Sequence, residues 1–387
     1  MMNVHPGLHD GPIYLDYNAT TPVDPAVVEA MLPYLSLHFG NPSSAHHYGR
    51  VAHNAVDAAR EQIARLIGCL PGEITFTGGG SESDNLAIRG AALARRGRDD
   101  HIITQVTEHP AVLNTCRALA RLHGFRVTYL PVDSSGRVSP ADIEAAIEDR
   151  TVLITIMHAN NETGTLQPIA EISQIARQHG VLIHTDAAQT VGKVPVRVDE
   201  LGVDMLTIAG HKLYAPKGIG ALYVRRGLQL EPIVYGGGQE AGLRAGTENV
   251  SYMVALGNAC MLAQQQLAAS QPRLQQLRDS LRKQLEQYLA GSIYLNGHET
   301  QRLPNTLNIS IAGIISEEVL AATPEIASST GSACHEGSTD PSPVLMAMGL
   351  SCERALAALR LTLGRWSTSQ EVERAAMLLA RTIDSLR

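Results

Sequence analysis

The chain has 387 residues, of which 44% are hydrophobic, and a net charge of −7. That length is typical of about two domains with a sizeable buried core. No basic run is long enough to indicate nucleic-acid binding, and no apolar run approaches the roughly 20 residues of a membrane-spanning helix. The N-terminus lacks the apolar segment of a secretory signal. We therefore expect a cytoplasmic protein with no direct nucleic-acid partner and no membrane partner.

Apolar runs alternate with helical patterns between residues 73 and 225. The predicted strands are residues 73–77, 101–105, 125–130, 151–157, 181–186, 204–210 and 220–226. Among the stretches between them, residues 168–180 begin with proline and end with glycine, as a helix commonly does. Alternating strands and helices predict an α/β fold with a mostly parallel sheet that helices cover on both faces.

The pattern changes after residue 250. A long helix is predicted at about residues 253–289, followed by strands in residues 291–295 and 305–311 and a C-terminal helix at residues 369–386. These elements predict a smaller α+β unit. We expect a large domain of residues 14–258 and a small domain made of residues 1–13 and 259–387.

Five cysteines form no CxxC pair, and their odd number argues against both a disulfide framework and a zinc site. Those with helical, apolar neighbours are predicted to lie in the core: Cys69, Cys116, Cys260 and Cys352. Cys334 differs, because serine, glycine, alanine and threonine surround it. An inert cysteine is normally buried among apolar side chains, so Cys334 is predicted to be reactive. No metal site is predicted.

Polar residues follow several predicted strands, where open α/β sheets bind their ligands. Asp186 ends one strand, and His211 and Lys212 end the next, so an acid and an amine would face one crevice if these strands are neighbours. The alternative is that the aspartate caps a helix and the lysine is solvated.

Three further features lie at strand ends. A glycine-rich turn at residues 78–80 leads into a helix near Ser81, and the free amides of such a turn suit a phosphate. The spacing is neither GxGxxG nor a Walker motif, which disfavours an NAD-dependent dehydrogenase. His109 follows a second strand, and residues 160–162 (Asn-Asn-Glu) follow a third. A lone histidine is more often structural, and paired asparagines usually mark a turn.

Taken together, these strand ends supply a phosphate cradle, an amine, a carboxylate, an aromatic ring and amide donors. Pyridoxal 5'-phosphate needs this combination. Its aldehyde forms a Schiff base with a lysine, and its ring nitrogen needs a carboxylate to stay protonated.

An ordered series of motifs from about residue 13 to 384 resembles the cysteine desulfurases, the NifS/IscS-like branch of the class V aminotransferase (fold-type I pyridoxal phosphate) family. The motifs are "YLDYNATTPVD", "FGNPSSAHHYG", "GGSESDNLAI", "TEHPAV", "HANNETG", "HTDAAQTVGK", "AGHKLYAPKGIGALYVRR", "GGGQEAGLRAGTENV", "GSACHEG" and "LRLTLGRW".

This resemblance implies a role for each cofactor residue. Lys212 would hold the cofactor as a Schiff base and remove the Cα proton of the substrate. Asp186 would pair with the ring nitrogen, and His109 would stack on the ring and assist proton transfer. Asn161 and Gln189 would bond the phenolic oxygen. The phosphate would be held by Ser81, His211, the amide near Gly80 and, from the neighbouring subunit of a homodimer, Thr247.

The resemblance also implies the substrate and the reaction. Arg360 would bind the carboxylate of L-cysteine, with Asn41 on the substrate side. Cys334 would take the sulfur as a persulfide, L-alanine would leave, and a sulfur-acceptor or scaffold protein would receive the sulfur. The destination could be iron–sulfur cluster assembly, thiolation of tRNA or cofactors, or DNA phosphorothioation. His335 would either lower the pKa of the thiol or be a solvated loop residue.

Two other activities and a non-catalytic role compete with this interpretation. A selenocysteine lyase or a cysteine/cystine lyase of the same fold needs no persulfide carrier, so Cys334 argues against both. A non-catalytic scaffold would have lost Lys212 or Cys334, and both are present.

The chain departs from the family pattern at two positions near the site and in the segment "GSACHEGSTDPSP" around Cys334. Ala209 stands where the family usually has a serine, and Ala241 where it has an arginine. We expect the first change to weaken cofactor binding by one hydrogen bond.

Overall fold

The computed structural model describes residues 5–330 and 340–387. The α-helices within these residues are α1 (Pro25–Met31), α2 (Pro33–Ser36), α3 (His47–Ile67), α4 (Gly80–Ala94), α5 (Pro110–His123), α6 (Pro140–Ala146), α7 (Ile169–Gln178), α8 (Val198–Leu201), α9 (Val250–Tyr288), α10 (Ser316–Ala321), α11 (Pro343–Ala347), α12 (Cys352–Leu356) and α13 (Ser369–Leu386). The strands are β1 (Ile13–Tyr14), β2 (Ile74–Thr77), β3 (His101–Gln105), β4 (Arg126–Leu130), β5 (Thr151–Thr155), β6 (Leu182–Asp186), β7 (Met205–Ala209), β8 (Gly220–Val224), β9 (Ile293–Leu295), β10 (Thr306–Ile311), β11 (Ile326–Ala327) and β12 (Ala358–Thr362).

A seven-stranded sheet in the order β2-β8-β7-β6-β5-β3-β4 forms the centre of the larger part of the fold. All strands predicted between residues 73 and 225 are confirmed, and so is the mostly parallel sheet. The exception is β8, which runs antiparallel to both β2 and β7. Only residues 210–219 separate it from β7, which is too short for the crossover that a parallel neighbour needs.

Helices cover both faces of this sheet, so its inner strands are buried along almost their whole length. One face packs against α3, α7 and the first half of α9, and the other against α4 and α5. In β7, for example, Ile208 joins the first of these cores and Met205 the second. The polar strand ends therefore lie at the rim of a sheet that is buried on both sides.

The smaller part of the fold contains the antiparallel sheet β12-β10-β9 and the two-stranded parallel sheet β1-β11. Its core also takes in α13 and the second half of α9. The helices predicted at residues 253–289 and 369–386 are confirmed. Helix α9 contributes side chains up to Ala263 to the core on the large sheet and from Leu274 onward to the smaller core. The expected domain boundary at residue 258 falls within this helix and stays a prediction.

Cys116 and Cys260 are buried as predicted, and Cys69 is partly buried against the large core. The prediction for Cys352 is wrong, because this residue is exposed. It is the first residue of the short helix α12, of which only Ala355 is buried. No helix in the described ranges is both long enough and apolar enough to cross a membrane.

Candidate active site

A cavity of about 330 Å³ opens at the carboxyl ends of β6 and β7. It brings together most of the site residues expected from the sequence, although these are far apart along the chain. They are Gly80, Ser81, His109, Asn161, Asp186, Gln189, His211, Lys212 and Arg360. The roles assigned to them remain predictions.

Lys212 and Asp186 meet here because β6 and β7 are parallel neighbours, paired through Asp186 and Thr207. Lys212 lies in a 3-10 turn directly after β7, and its Nζ donates to the carbonyls of Asn18 and Ala19, each at 2.6 Å. Asp186 is buried, and its Oδ1 accepts the N–H of Ala188 at 2.9 Å. Burial raises the pKa of the Asp186 carboxyl, while His109, this hydrogen bond and Lys212 act in the opposite direction.

His109 is the N-cap of α5, where its Nδ1 accepts the N–H of Ala111 at 3.1 Å. This bond leaves Nε2 to carry the proton of the neutral ring. Burial lowers the pKa of the imidazole, Asp186 opposes the change, and Lys212 adds to it. The ring is therefore held in one orientation and kept neutral, as a stacking platform requires.

The first turn of α4 closes one side of the cavity. Its N-cap, Gly79, has φ of 147° and provides no side-chain cap, so the first amides of the helix are left for a ligand. A Cβ on Gly80 would lie 3.2 Å from the Cβ of Ala209. His211 bonds Thr20 Oγ1 at 3.1 Å, and burial with neighbouring lysines lowers its pKa to about 4. The first turn of α4 therefore has the properties of an anion-binding site.

Asn18 lies at the centre of the hydrogen bonds around the cavity, and the sequence analysis did not assign it a role. Besides accepting from Lys212, its carbonyl accepts Gln189 Nε2 at 3.0 Å, and its own Nδ2 donates to the carbonyl of Asn161 at 3.1 Å. Asn18 is 1% exposed. The sequence signal that could have identified Asn18 was its position within the "YLDYNATTP" motif.

Two further buried acids lie near Asp186. Asp84 lines the cavity, and its Oδ1 has no hydrogen-bond partner among the described residues. Burial, together with the charge of Asp186, raises its pKa well above the usual range. Glu108 accepts the N–H of Met157 at 2.7 Å, and burial raises its pKa to about 8. Asp84 and Glu108 lie within quoted motifs, but nothing in those motifs distinguished them from helix-capping acids.

Arg360 on β12 reaches the cavity from the smaller part of the fold. Its NH2 lies 2.8 Å from Asp16 Oδ1, and the residue is 2% exposed. Within the described chain, its Nε has no hydrogen-bond partner. A buried guanidinium with an unused N–H is suited to a carboxylate ligand.

Two expected residues do not line the cavity, and a third lies outside the described residues. Asn41 is exposed, and its Oδ1 accepts the N–H of Ser43 at 2.9 Å. Thr247 is exposed, although its predicted role concerned a neighbouring subunit. Cys334 lies outside the described residues, as does His335. Ser329, which precedes them, accepts the N–H of Arg360 at 2.9 Å.

The residues present fit pyridoxal phosphate. The uncapped turn of α4 suits the phosphate, Lys212 suits the aldehyde, and Asp186 suits the ring nitrogen, all around one cavity. The cavity volume falls at the lower end of the range typical of small-molecule sites.

Residues 13–375 match the model of the family described as Aminotransferase class-V. The chain is 48% identical over 377 residues to the cysteine desulfurase IscS of Dictyoglomus turgidum, covering 97% of this chain and 95% of the relative. It is 46% identical over 384 residues to the cysteine desulfurase IscS of Klebsiella pneumoniae, covering 97% and 94%.

Solved structures give the same result. A structure titled "NIFS-LIKE PROTEIN" is similar with a TM-score of 0.90 at 35% identity, covering 97% of this chain and all of the other. A structure titled "SspA in complex with cysteine" is similar with a TM-score of 0.81 at 42% identity, covering 92% and 99%. The chain therefore belongs to the class V aminotransferase family and, within it, to the pyridoxal phosphate-dependent cysteine desulfurases.

Proposed function

We propose that this protein is an L-cysteine desulfurase that converts L-cysteine into L-alanine and a persulfide on Cys334, from which an acceptor protein takes the sulfur. The observation that carries this proposal is the meeting of Lys212, Asp186 and Arg360 at one cavity. An amine, a carboxylate and a buried guanidinium are the groups that an amino-acid substrate and its cofactor need. The names of the relatives and the cysteine in the related structure agree with this substrate.

Pyridoxal phosphate, when bound, supplies an electron sink that weakens the bonds at the α-carbon of an amino acid. Lys212 would hold it through Nζ, and the first turn of α4 with Ser81 would hold its phosphate. Asp186 would keep a proton on the ring nitrogen, and the neutral His109 would orient the ring. Within each turnover, Lys212 Nζ would take the proton of the substrate α-carbon and later return a proton to it.

Arg360 orients the substrate through its carboxylate. The thiolate of Cys334 then attacks the sulfur of L-cysteine, so that an S–S bond forms and the C–S bond breaks. The electron pair of the broken bond stays on carbon, which takes a proton and becomes the methyl group of L-alanine. The acceptor protein afterwards receives the outer sulfur by thiol exchange.

A homodimer is part of this proposal, with Thr247 completing the phosphate site of the other subunit. Thr247 is exposed and lies away from the cavity of its own chain. Large apolar side chains are also exposed around residues 32–48, where Phe39 stacks on Tyr48 with ring centroids 5.2 Å apart. Such a patch favours a protein partner.

A cytoplasmic location is also part of the proposal. The cysteines that the structure describes are free thiols, which is typical of a reducing compartment. The destination of the sulfur stays open between iron–sulfur cluster assembly, thiolation of tRNA or cofactors, and DNA phosphorothioation.

The proposal is tested with purified protein, pyridoxal phosphate, L-cysteine and a thiol reductant, by measuring alanine and sulfide. We expect both products from the wild type and neither from Lys212→Ala. Cys334→Ala should lose sulfide release, whereas Cys352→Ala, a control that removes an exposed cysteine thiol, should keep it. Equal sulfide from Cys334→Ala and the wild type would contradict the persulfide step and favour a lyase.

A further inference from the structure

A second lysine, Lys193, lies beside the cavity and has no role in the chemistry above. It is 8% exposed and lies after β6 in the same connecting segment as Gln189. Its Nζ donates to Gln189 Oε1 at 2.6 Å and to Asn18 Oδ1 at 3.3 Å. Both acceptors belong to uncharged amides.

This arrangement is costly for a cation. Among residues 5–330 and 340–387, no carboxylate forms an ion pair with Lys193. Burial and the positive charges of Lys212 and Arg360 lower the pKa of its amine well below the usual range. A buried amine whose partners are neutral oxygens contributes little to stability, because its desolvation is not offset by an opposite charge. The position of Lys193 therefore points to a role at the site.

The contact with Gln189 determines which end of that amide faces which neighbour. A glutamine side chain has one oxygen acceptor and one nitrogen with two N–H groups. In the structure Lys193 donates to Oε1, and this contact holds Oε1 on the side of the lysine. Nε2 then donates one hydrogen to the carbonyl of Asn18 at 3.0 Å, which leaves the second hydrogen for the cavity that Gln189 lines.

The same network reaches Lys212. The Asn18 carbonyl that accepts Gln189 also accepts Lys212 Nζ at 2.6 Å, and Asn305 Nδ2 donates to Asn18 Oδ1 at 3.1 Å. Lys193 and Asn305 thus hold the side chain of Asn18 while its main chain contacts the reactive lysine. This couples the two lysines through neutral groups that are all buried.

We propose that Lys193 is a positioning residue that orients Gln189, so that the Gln189 amide donates an N–H to the phenolic oxygen of bound pyridoxal phosphate. The inference rests on the proposed function, because that function places the cofactor in this cavity. Lys193 itself touches neither cofactor nor substrate and acts through Gln189.

The test is a double-mutant cycle with Lys193→Met and Gln189→Leu. The dissociation constant for pyridoxal phosphate is measured on the full chain by equilibrium dialysis, together with the visible absorption band of the bound cofactor. We expect Lys193→Met to weaken binding about tenfold, equivalent to about 1.4 kcal/mol, and to shift the band in the same direction as Gln189→Leu. In the Gln189→Leu background, Lys193→Met should change the binding less than about twofold.

Gln189→Glu serves as a second variant that does not depend on the folding of Lys193→Met. It keeps an oxygen for Lys193 but removes the N–H, so we expect the same loss of cofactor affinity and a cofactor-free protein at least as heat-stable as the wild type. Equal losses from Lys193→Met in both backgrounds, or wild-type affinity in Gln189→Glu, would overturn the inference. A wild type that binds no pyridoxal phosphate would instead overturn the proposed function.

Discussion

Arg360 and Asp16 form an ion pair at the edge of the cavity, with the guanidinium NH2 2.8 Å from Asp16 Oδ1. The same oxygen accepts the hydroxyl of Ser329 at 3.3 Å. Arg360, which is expected to bind the substrate carboxylate, is therefore already paired with a carboxylate of the chain. Two carboxylates around one guanidinium repel each other, so Asp16 opposes the binding of substrate.

We predict that Asp16→Asn lowers the KM for L-cysteine several-fold, because the charge that competes for Arg360 is removed. Steady-state alanine formation measures this effect. Arg360→Lys is the matched comparison, in which the planar pair of donors is lost and KM should rise by about tenfold or more. A higher KM in Asp16→Asn would mean that Asp16 mainly holds the guanidinium in place.

Ala209 ends β7 and lines the cavity beside the first turn of α4. We predict that Ala209→Ser, which restores the usual residue of the family, tightens pyridoxal phosphate binding about fivefold or more, since one added hydrogen bond contributes at least about 1 kcal/mol. Equilibrium dialysis measures the change. Ala188→Ser adds a hydroxyl to the cavity wall beside Asp186 instead and should bring no comparable gain. Unchanged affinity in Ala209→Ser would show that no phosphate oxygen lies within its reach.

Ala241 has φ of +54°, a left-handed conformation that costs a non-glycine residue roughly 1 kcal/mol. We predict that Ala241→Gly raises the free energy of unfolding by up to about 1 kcal/mol, as measured by denaturant titration. Ala58→Gly, at an exposed position within α3, should lower it by about 1 kcal/mol. The same sign at both positions would refute the explanation by backbone strain.

We predict that Glu108 makes the stability of the protein depend on pH. Its folded-state pKa of about 8 lies above the ordinary value of 4.5, so between these values the folded protein binds more protons than the unfolded chain. Stability from this residue is present at low pH and is lost as the pH rises through the window, by up to ~1.4 kcal/mol per pH unit. Glu108→Gln keeps an acceptor for the Met157 N–H and should flatten the decline between pH 5 and 8.

Denaturant unfolding at several pH values tests the Glu108 prediction. Glu171→Gln, at an exposed position on α7, provides the control and should leave the slope unchanged. A wild-type slope that persists in Glu108→Gln would assign the pH dependence to other groups.

The elements of the fold were largely predictable, because each strand of the large sheet is a short apolar run bounded by polar residues. The direction of β8 was not expected from the alternating pattern, since it follows from the short connection after β7. Lys212, Asp186 and His109 could be found because each stands at a strand end. Asn18 and Lys193 could not, because their importance depends on contacts such as the one between Lys212 and Asn18, which are 194 positions apart.

The path of helix α9 determines where the two hydrophobic cores can bend relative to each other. It is one continuous element of 39 residues, and it passes from the core on the large sheet to the smaller core between Ala263 and Leu274. Pro272 lies in that interval and has no N–H to donate to the preceding turn. Helix α9 joins the two halves of the active site. Between Ala263 and Leu274 it therefore lacks both the packing of a hydrophobic core and one backbone hydrogen bond. We expect bending between the Lys212 side and the Arg360 side to concentrate there, and amide exchange on either side of Pro272 would report it.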